Sequence, residues 1–276
     1  MISAATHTDT HTTGTFDSVS SRSELAWFFA DALVMARRNV IGMIRTPQVI
    51  AFLTVQPIIF VLLFRYIFGG SIHIPGVSYV NFLVLGLIVQ TVAFSSQTTA
   101  VAVSDDLHKG LIERFRSLAM TRSAVLAGRA LSDAIRYTFA SVLMIGIGYI
   151  VGLRLHTTAI ALLGALGLLV MFGLAMTCLM AFLAFSVKSG EAAVAASFPL
   201  LGLLIFPSNV YASPAAMPQP LHAYASHQPV SAVADAVRAL LLGGPNTSRV
   251  LTAVAWSLGI TFVFGMLAVR RYRKAA

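Results

Sequence analysis

Three groups of residues in this sequence have types and spacing that can do chemistry. The first is a dense charged cluster, Asp105, Asp106, Lys109, Glu113, Arg114, Arg116 and Arg122, within "SDDLHKGLIERFRSLAMTRS". It follows a run of 39 residues, Tyr66 to Ser104, that contains no Asp, Glu, Lys or Arg. Mixed charge of this density forms a docking surface for a soluble partner or, more simply, a solvated connector. The second group is Asp133 between Arg129 and Arg136, beside a long apolar stretch. A carboxylate inside a membrane is what a proton relay requires. The third is His222 and His227 with Ser213 and Ser226, where a hydroxyl beside an imidazole makes a nucleophile–base pair. Solvated or interfacial histidines are the simpler reading of that last group. No metal-ligand spacing emerges, so neither a catalytic residue nor a metal site is expected.

The elements that position these groups follow from composition. Of the 276 residues 57% are hydrophobic and 11% charged, with a mean hydropathy of +0.83. Soluble domains hold roughly 45–50% apolar and about 25% charged residues. A bilayer core about 30 Å thick is crossed by about 20 apolar residues of helix. The fold class expected is therefore an all-α integral membrane protein with six transmembrane helices, at about 48–67, 80–103, 125–152, 158–186, 191–211 and 250–269. The first part of the third helix, with Arg129, Asp133 and Arg136, is expected to project into the cytosol.

Net charge is +9, which in a soluble protein would point to nucleic acid; here the basic residues set orientation. With the amino terminus inside, fifteen of the 19 Lys and Arg residues fall on the cytosolic side, leaving Arg65, Arg154, Arg238 and Arg249 outside or near that face. Both termini are thus expected in the cytosol, in a multi-pass protein of the plasma (bacterial inner) membrane. No nucleic-acid partner is expected, only membrane lipid and protein.

Residues 1–20, rich in Thr, Ser and His, read as a disordered cytosolic tail. Residues 21–46 read as an amphipathic interfacial helix, opened by a capping-box spacing of Ser21 and Glu24 and carrying Trp27 at headgroup depth. The six-span body is expected over 47–269 and a basic cytosolic end over 270–276. Six of the ten prolines lie between Pro199 and Pro229. The fifth span should therefore break into a re-entrant or surface element, followed by a helix near Val230–Leu242. Single Cys178 excludes an internal disulfide framework. Gly146, Gly148, Gly164 and Gly167 are candidate points of close helix approach.

Within the charged cluster, Leu107, Leu111, Phe115 and Leu118 fall on one helical stripe. A connector that only reversed direction needs about four or five residues. The extra length favours a short cytosolic helix over 105–118 that docks a partner. Asp105, Asp106, Lys109, Glu113 and Arg114 are the candidate contacts, with Gly110 permitting close backbone approach.

The stretch "SDDLHKGLIERFRSLAMTRSAVLAGRALSDAIR" resembles the ABC-2 type transporter permeases of the daunorubicin-resistance kind, through Gly110, Glu113, Arg122, Gly128 and Arg129. "HQPVSAVADAVRALLLGGP" resembles their segment before the last span, through His227, Pro229, Asp235, Arg238 and Gly244, and "VQPIIFVLLFRYIFGG" resembles their first span. The likeness covers about residues 25–272 and departs at Ala119, where the family commonly has proline. It implies two permease subunits, identical or homologous, paired across the membrane, and a coupling helix at 105–118 that touches a separate nucleotide-binding ATPase. ATP and Mg would then be bound by that ATPase and no cofactor by this chain. Consistently, Lys109, Lys188 and Lys274 are the only lysines, and none sits in the G-x-x-x-x-G-K-[ST] pattern of a phosphate loop. The chain is not expected to be an enzyme. Its expected role is the permease subunit of an exporter of drug- or lipid-like amphiphiles. Phe60, Phe64 and Phe94 are candidates for the substrate path. An ion-coupled secondary transporter is the alternative, weakened because none of the ten acidic residues falls at a bilayer centre in the span map.

Overall fold

A computed structural model describes residues 33–34, 37, 40–42, 45, 47–69, 77–108, 122–187, 189–244 and 247–275. The described residues are helical, with no strand among them. The elements are α1 (Pro47–Leu63, extended by a π-turn Phe64–Phe68), α2 (Tyr79–Ser95), α3 (Gln97–His108), α4 (Arg122–Val151), α5 (Ala159–Ala184), α6 (Gly190–Ile205), a short 3-10 turn (Pro214–Ala216), α7 (Gln219–His227), α8 (Pro229–Leu242) and α9 (Thr247–Ala275). Residues 33–34, 37 and 40–42 of the expected interfacial helix are helical and Arg45 lies in a turn; the other residues of that helix, the tail over 1–20 and the connector over 109–121 lie outside the described residues.

Four helical stretches are long and apolar enough to cross a membrane: Tyr79–Asp105, Gly128–Val151, Ala159–Ala184 and Thr247–Arg271. The other two expected spans correspond to shorter apolar helices, Thr54–Ile67 and Gly190–Ile205. At 1.5 Å per residue, the 16 residues of α6 reach about 24 Å, short of a hydrocarbon core of about 30 Å. The helix stops at Ile205, two residues before Pro207, and the chain re-enters helix only at α7 and α8. The proline-rich break anticipated in the sequence is therefore present.

The Tyr79–Asp105 stretch is the centre of the molecule. Every residue of α2 except Asn81 is buried. The helix is interrupted at Ser96, and the hydroxyls around it bond back to the helix: Thr91 Oγ1 donates to the Leu87 carbonyl (2.8 Å), Ser95 Oγ to Thr91 (2.7 Å) and Ser96 Oγ to Ala93 (2.6 Å). Such back-bonding competes with the backbone ladder and bends helices. By contrast α9 lies on the perimeter, presenting Leu251, Trp256, Phe262, Val263 and Met266 outward, as a lipid-facing helix does.

Apolar faces gain little by leaving lipid for one another, so packing here depends on close contact. Of the four glycines singled out in the sequence, Gly148 serves this role: a Cβ there would stand 2.7 Å from Val84 Cγ1 and 2.8 Å from Leu153 Cδ2. Gly146, Gly164 and Gly167 would meet nothing within 4 Å. A tight site not foreseen in the sequence is Gly86 on α2, whose added Cβ would lie 2.5 Å from the Val210 carbonyl oxygen and 2.8 Å from Arg238 Nη2. Gly86→Ala should cost about 1–3 kcal/mol by overpacking, with Gly146→Ala neutral beside it. Thermal denaturation in detergent checks both, and equal effects would refute the close packing at Gly86.

The two ends of the bundle differ. At one end α3 finishes, α6 starts, and Arg271 of α9 lies over the Phe182 ring at 5.5 Å. At the other, Asn81 exchanges hydrogen bonds with the backbone of Arg154, and Thr157 Oγ1 donates to the Leu240 carbonyl (2.8 Å). The α4–α5 turn is thereby fastened to α2 and α8.

Candidate functional site

The aromatic candidates come together in part. A cleft between α1 and α2 is lined by Gln56, Pro57, Phe60, Leu87, Gln90, Thr91, Phe94 and Ser95. The cleft is narrow: its volume is about 10 Å³, room for about one water. Phe60 and Phe94 are both in its wall. Phe64 is set apart, stacked on Tyr211 at 4.6 Å and on Phe60 at 6.2 Å. Pro57 sits inside α1 beside the cleft and Phe94 leans on Phe198 of α6 at 6.3 Å. Leu87, Gln90, Thr91 and Phe94 recur at intervals of three and four, so one face of α2 forms that wall. No charged side chain lines it.

The cleft is tied to the far end of the bundle through the turn after α6. Tyr211 donates its hydroxyl to Gln90 Oε1 (2.5 Å). Next to it, Arg238 of α8 holds the turn and α2 together. Its Nε and Nη2 donate to the Phe82 carbonyl (3.2 and 3.1 Å), and Nη2 also reaches the carbonyls of Asn209 (2.9 Å) and Val210 (3.4 Å). Nη1 pairs with Asp235 at 3.3 Å, Asp235 also accepts from Asn209 Nδ2 (2.7 Å), and the guanidinium lies 3.5 Å from the Phe82 ring centre. The planar fork of arginine allows one side chain to serve three backbone carbonyls on two elements.

A second polar cluster ties α3, α4 and α5 nearer the other end. Asp133 is 3% exposed. It pairs with Arg136 Nη2 at 2.8 Å and accepts from Thr99 Oγ1 (3.1 Å) and Thr177 Oγ1 (3.3 Å). Tyr137 and Thr177 hydroxyls bond at 2.6 Å, and Arg129 Nη2 reaches the Thr99 carbonyl at 3.4 Å. The sequence reading had this part of α4 projecting into the cytosol; within the fold Arg129, Asp133 and Arg136 pack against α3 and α5. A buried carboxylate is strongly driven to find a cation and hydroxyls, which a span map drawn from hydropathy does not register.

Of the expected docking residues, Asp105 is half-buried near the end of α3, with Oδ1 only 2.6 Å from where a Cβ on Gly190 would stand. Its carboxylate therefore lies against the first turn of α6, the end of a helix that favours negative charge. Asp106 belongs to α3, while Lys109, Gly110, Glu113 and Arg114 lie outside the described residues. The serine–histidine candidates form no nucleophile–base pair: Ser226 Oγ donates to the His222 carbonyl (2.7 Å), and His227 Nδ1 faces the Ala223 carbonyl (2.9 Å).

The sequence reading missed Gln90, Tyr211, and the pairing roles of Asp133 and Arg238. Gln90 carried a signal, being one of a few amides in an otherwise uncharged run, one helical turn from Phe94. Tyr211 carried none, since its partner is 121 residues away in sequence.

Comparison with known proteins agrees with this architecture. The family model described as ABC-2 type transporter matches residues 31–242. The chain is 32% identical over 221 residues to the daunorubicin resistance ABC transporter permease protein DrrB1 of Streptomyces coeruleorubidus, covering 80% of this chain and 78% of that one. It is 24% identical over 262 residues, 93% of each chain, to the probable doxorubicin resistance ABC transporter permease protein DrrC of Mycobacterium tuberculosis. With its apolar helices packed around a buried, polar-tied central span, the chain is an integral membrane protein that belongs to the ABC-2 type transporter family.

Proposed function

We propose that this chain is the permease half of an ATP-driven exporter in the plasma membrane, working with a separate nucleotide-binding ATPase and a second permease subunit. Its cargo would be a drug- or lipid-like amphiphile, and its termini and the 105–118 segment would be cytosolic. The names of its relatives support an amphiphilic drug as cargo. The carrying observation is the continuity of α2 and α3 with the charged segment. On the way, that span is joined to α4 and α5 by Asp133 and Thr99, to α6 by Gln97 Nε2 on Ser197 Oγ (3.0 Å), and again to α6 where Asp105 meets Gly190. A push on 105–118 from a closing ATPase would therefore move several helices at once.

The chain has no phosphate loop of its own, so the energy enters through the partner, which would bind ATP and Mg. An ion-coupled carrier is disfavoured because the buried Asp133 is already neutralised by Arg136. Glu113→Lys, co-expressed with the ATPase, is expected to cut drug transport at least tenfold while leaving ATP hydrolysis and membrane insertion intact; tenfold corresponds to about 1.4 kcal/mol of lost coupling. Normal transport by that variant would remove Glu113 from the coupling surface. Transport by the purified chain alone, driven by an ion gradient, would overturn the exporter reading itself.

A further inference from the structure

We propose that the cleft between α1 and α2 is a hydration site, in which one water held by the side-chain amides of Gln56 and Gln90 forms a polar link between α1 and the central span. This goes beyond the permease reading, and no transport step depends on it.

Gln90 is 4% exposed and stands near the middle of the Tyr79–Asp105 span, at a depth where lipid offers no hydrogen bonds. Its Oε1 is taken by the Tyr211 hydroxyl, so Nε2 is the part of the amide left for the cleft. Neither that nitrogen nor the Gln56 amide hydrogen-bonds any described residue. A buried N–H left unpaired is costly, and buried polar groups are accordingly satisfied by protein or by ordered water. The space beside these amides is about 10 Å³, the size of one water, and a buried water needs two to four polar partners. The walls supply them. Gln90 Nε2 can donate to the water, and the water can donate to Gln56 Oε1. Thr91 Oγ1 and Ser95 Oγ give their protons to the carbonyls of Leu87 and Thr91, so each keeps lone pairs to accept the water's second proton. No carboxylate lines the cleft, so a metal cation has no counter-charge there. Gln228 provides an internal contrast. It is also 4% exposed, yet both its amide atoms are enclosed and without a partner. Two glutamines of equal burial thus differ in whether water-sized space adjoins the amide.

The test uses the full chain in lipid bilayers with isotope-labelled glutamine, read by solid-state NMR transfer from water protons to the side-chain amides. In the wild type Gln56 and Gln90 should both receive signal from water, and Gln228 should receive none. Gln56→Met, of similar length and apolar, should remove most of the Gln90 signal. In thermal denaturation, Gln56→Met and Gln90→Met should each lower the midpoint by about 2–4 °C, and the double variant by less than the sum, because both break one bridge. An absent Gln90 signal in the wild type, a Gln228 signal as strong as that of Gln90, a Gln90 signal unchanged in Gln56→Met, or an additive cycle would overturn the proposal. The wild-type spectrum needs no substitution, so it decides the presence of the water even where a variant misfolds. ATP-dependent drug efflux by the intact complex is a separate readout, whose failure would remove the permease reading and leave the water in place.

Discussion

Arg238→Ala is expected to lower the stability of the folded chain by about 3–5 kcal/mol, the range for removing one partner from a buried charged network. The loss would appear as a thermal midpoint roughly 10 °C lower in detergent. Three carbonyls, of Phe82, Asn209 and Val210, would lose a charged donor at a buried site, and the Phe82 ring would lose its cation. Arg238→Lys should recover less than half of this, because an ammonium cannot span carbonyls on two elements as the guanidinium does. Asp235→Asn should cost under about 1 kcal/mol, since its side chain is 47% exposed and exposed pairs contribute little. If Asp235→Asn were as damaging as Arg238→Ala, the ion pair would be the important contact and the carbonyls incidental. Hydrogen exchange over 208–211 would locate the effect, because Arg238 holds that turn to α2 alongside Tyr211.

The same residue shows where sequence reading stops. Hydropathy located the four long spans and the proline-rich break after Ile205, because both follow from local composition: apolar length, and the missing N–H of proline. Phe60 and Phe94 could be guessed as cleft residues from their type. Arg238, Asp133 and Tyr211 could not be assigned their roles, because each acts on atoms brought close only by the tertiary fold: Arg238 on Phe82, Asp133 on Thr99 and Thr177, Tyr211 on Gln90. A rule that counts charge against the membrane puts Arg238 near the outer face and Asp133 towards the cytosol, and neither placement reveals that both fasten the central span, one near each end. The cleft lies between those fastenings, against the middle of that span.

Asp133→Ala is expected to be the second most damaging substitution, at about 3–5 kcal/mol, because it strands the Arg136 guanidinium in the bundle. Arg136 is 11% exposed at its side chain, and its Nε already lacks a hydrogen-bond partner. The double variant Asp133→Ala, Arg136→Leu should recover most of that loss, since replacing both members of a buried pair by apolar groups is often close to neutral. A double-mutant cycle on thermal stability then gives the pair's coupling directly. Asp133→Asn keeps the shape and the bonds to Thr99 and Thr177 but has no charge to gain or lose a proton. It should retain at least half of ATP-driven transport. A carrier using Asp133 as its proton site would lose transport entirely in that variant while remaining folded. Retained transport in Asp133→Asn together with recovery in the double variant would make the aspartate a fastening between α3, α4 and α5. Abolished transport in a stable Asp133→Asn protein would instead restore the ion-coupled mechanism, and with it a functional role for the one acidic side chain buried deep among the described helices.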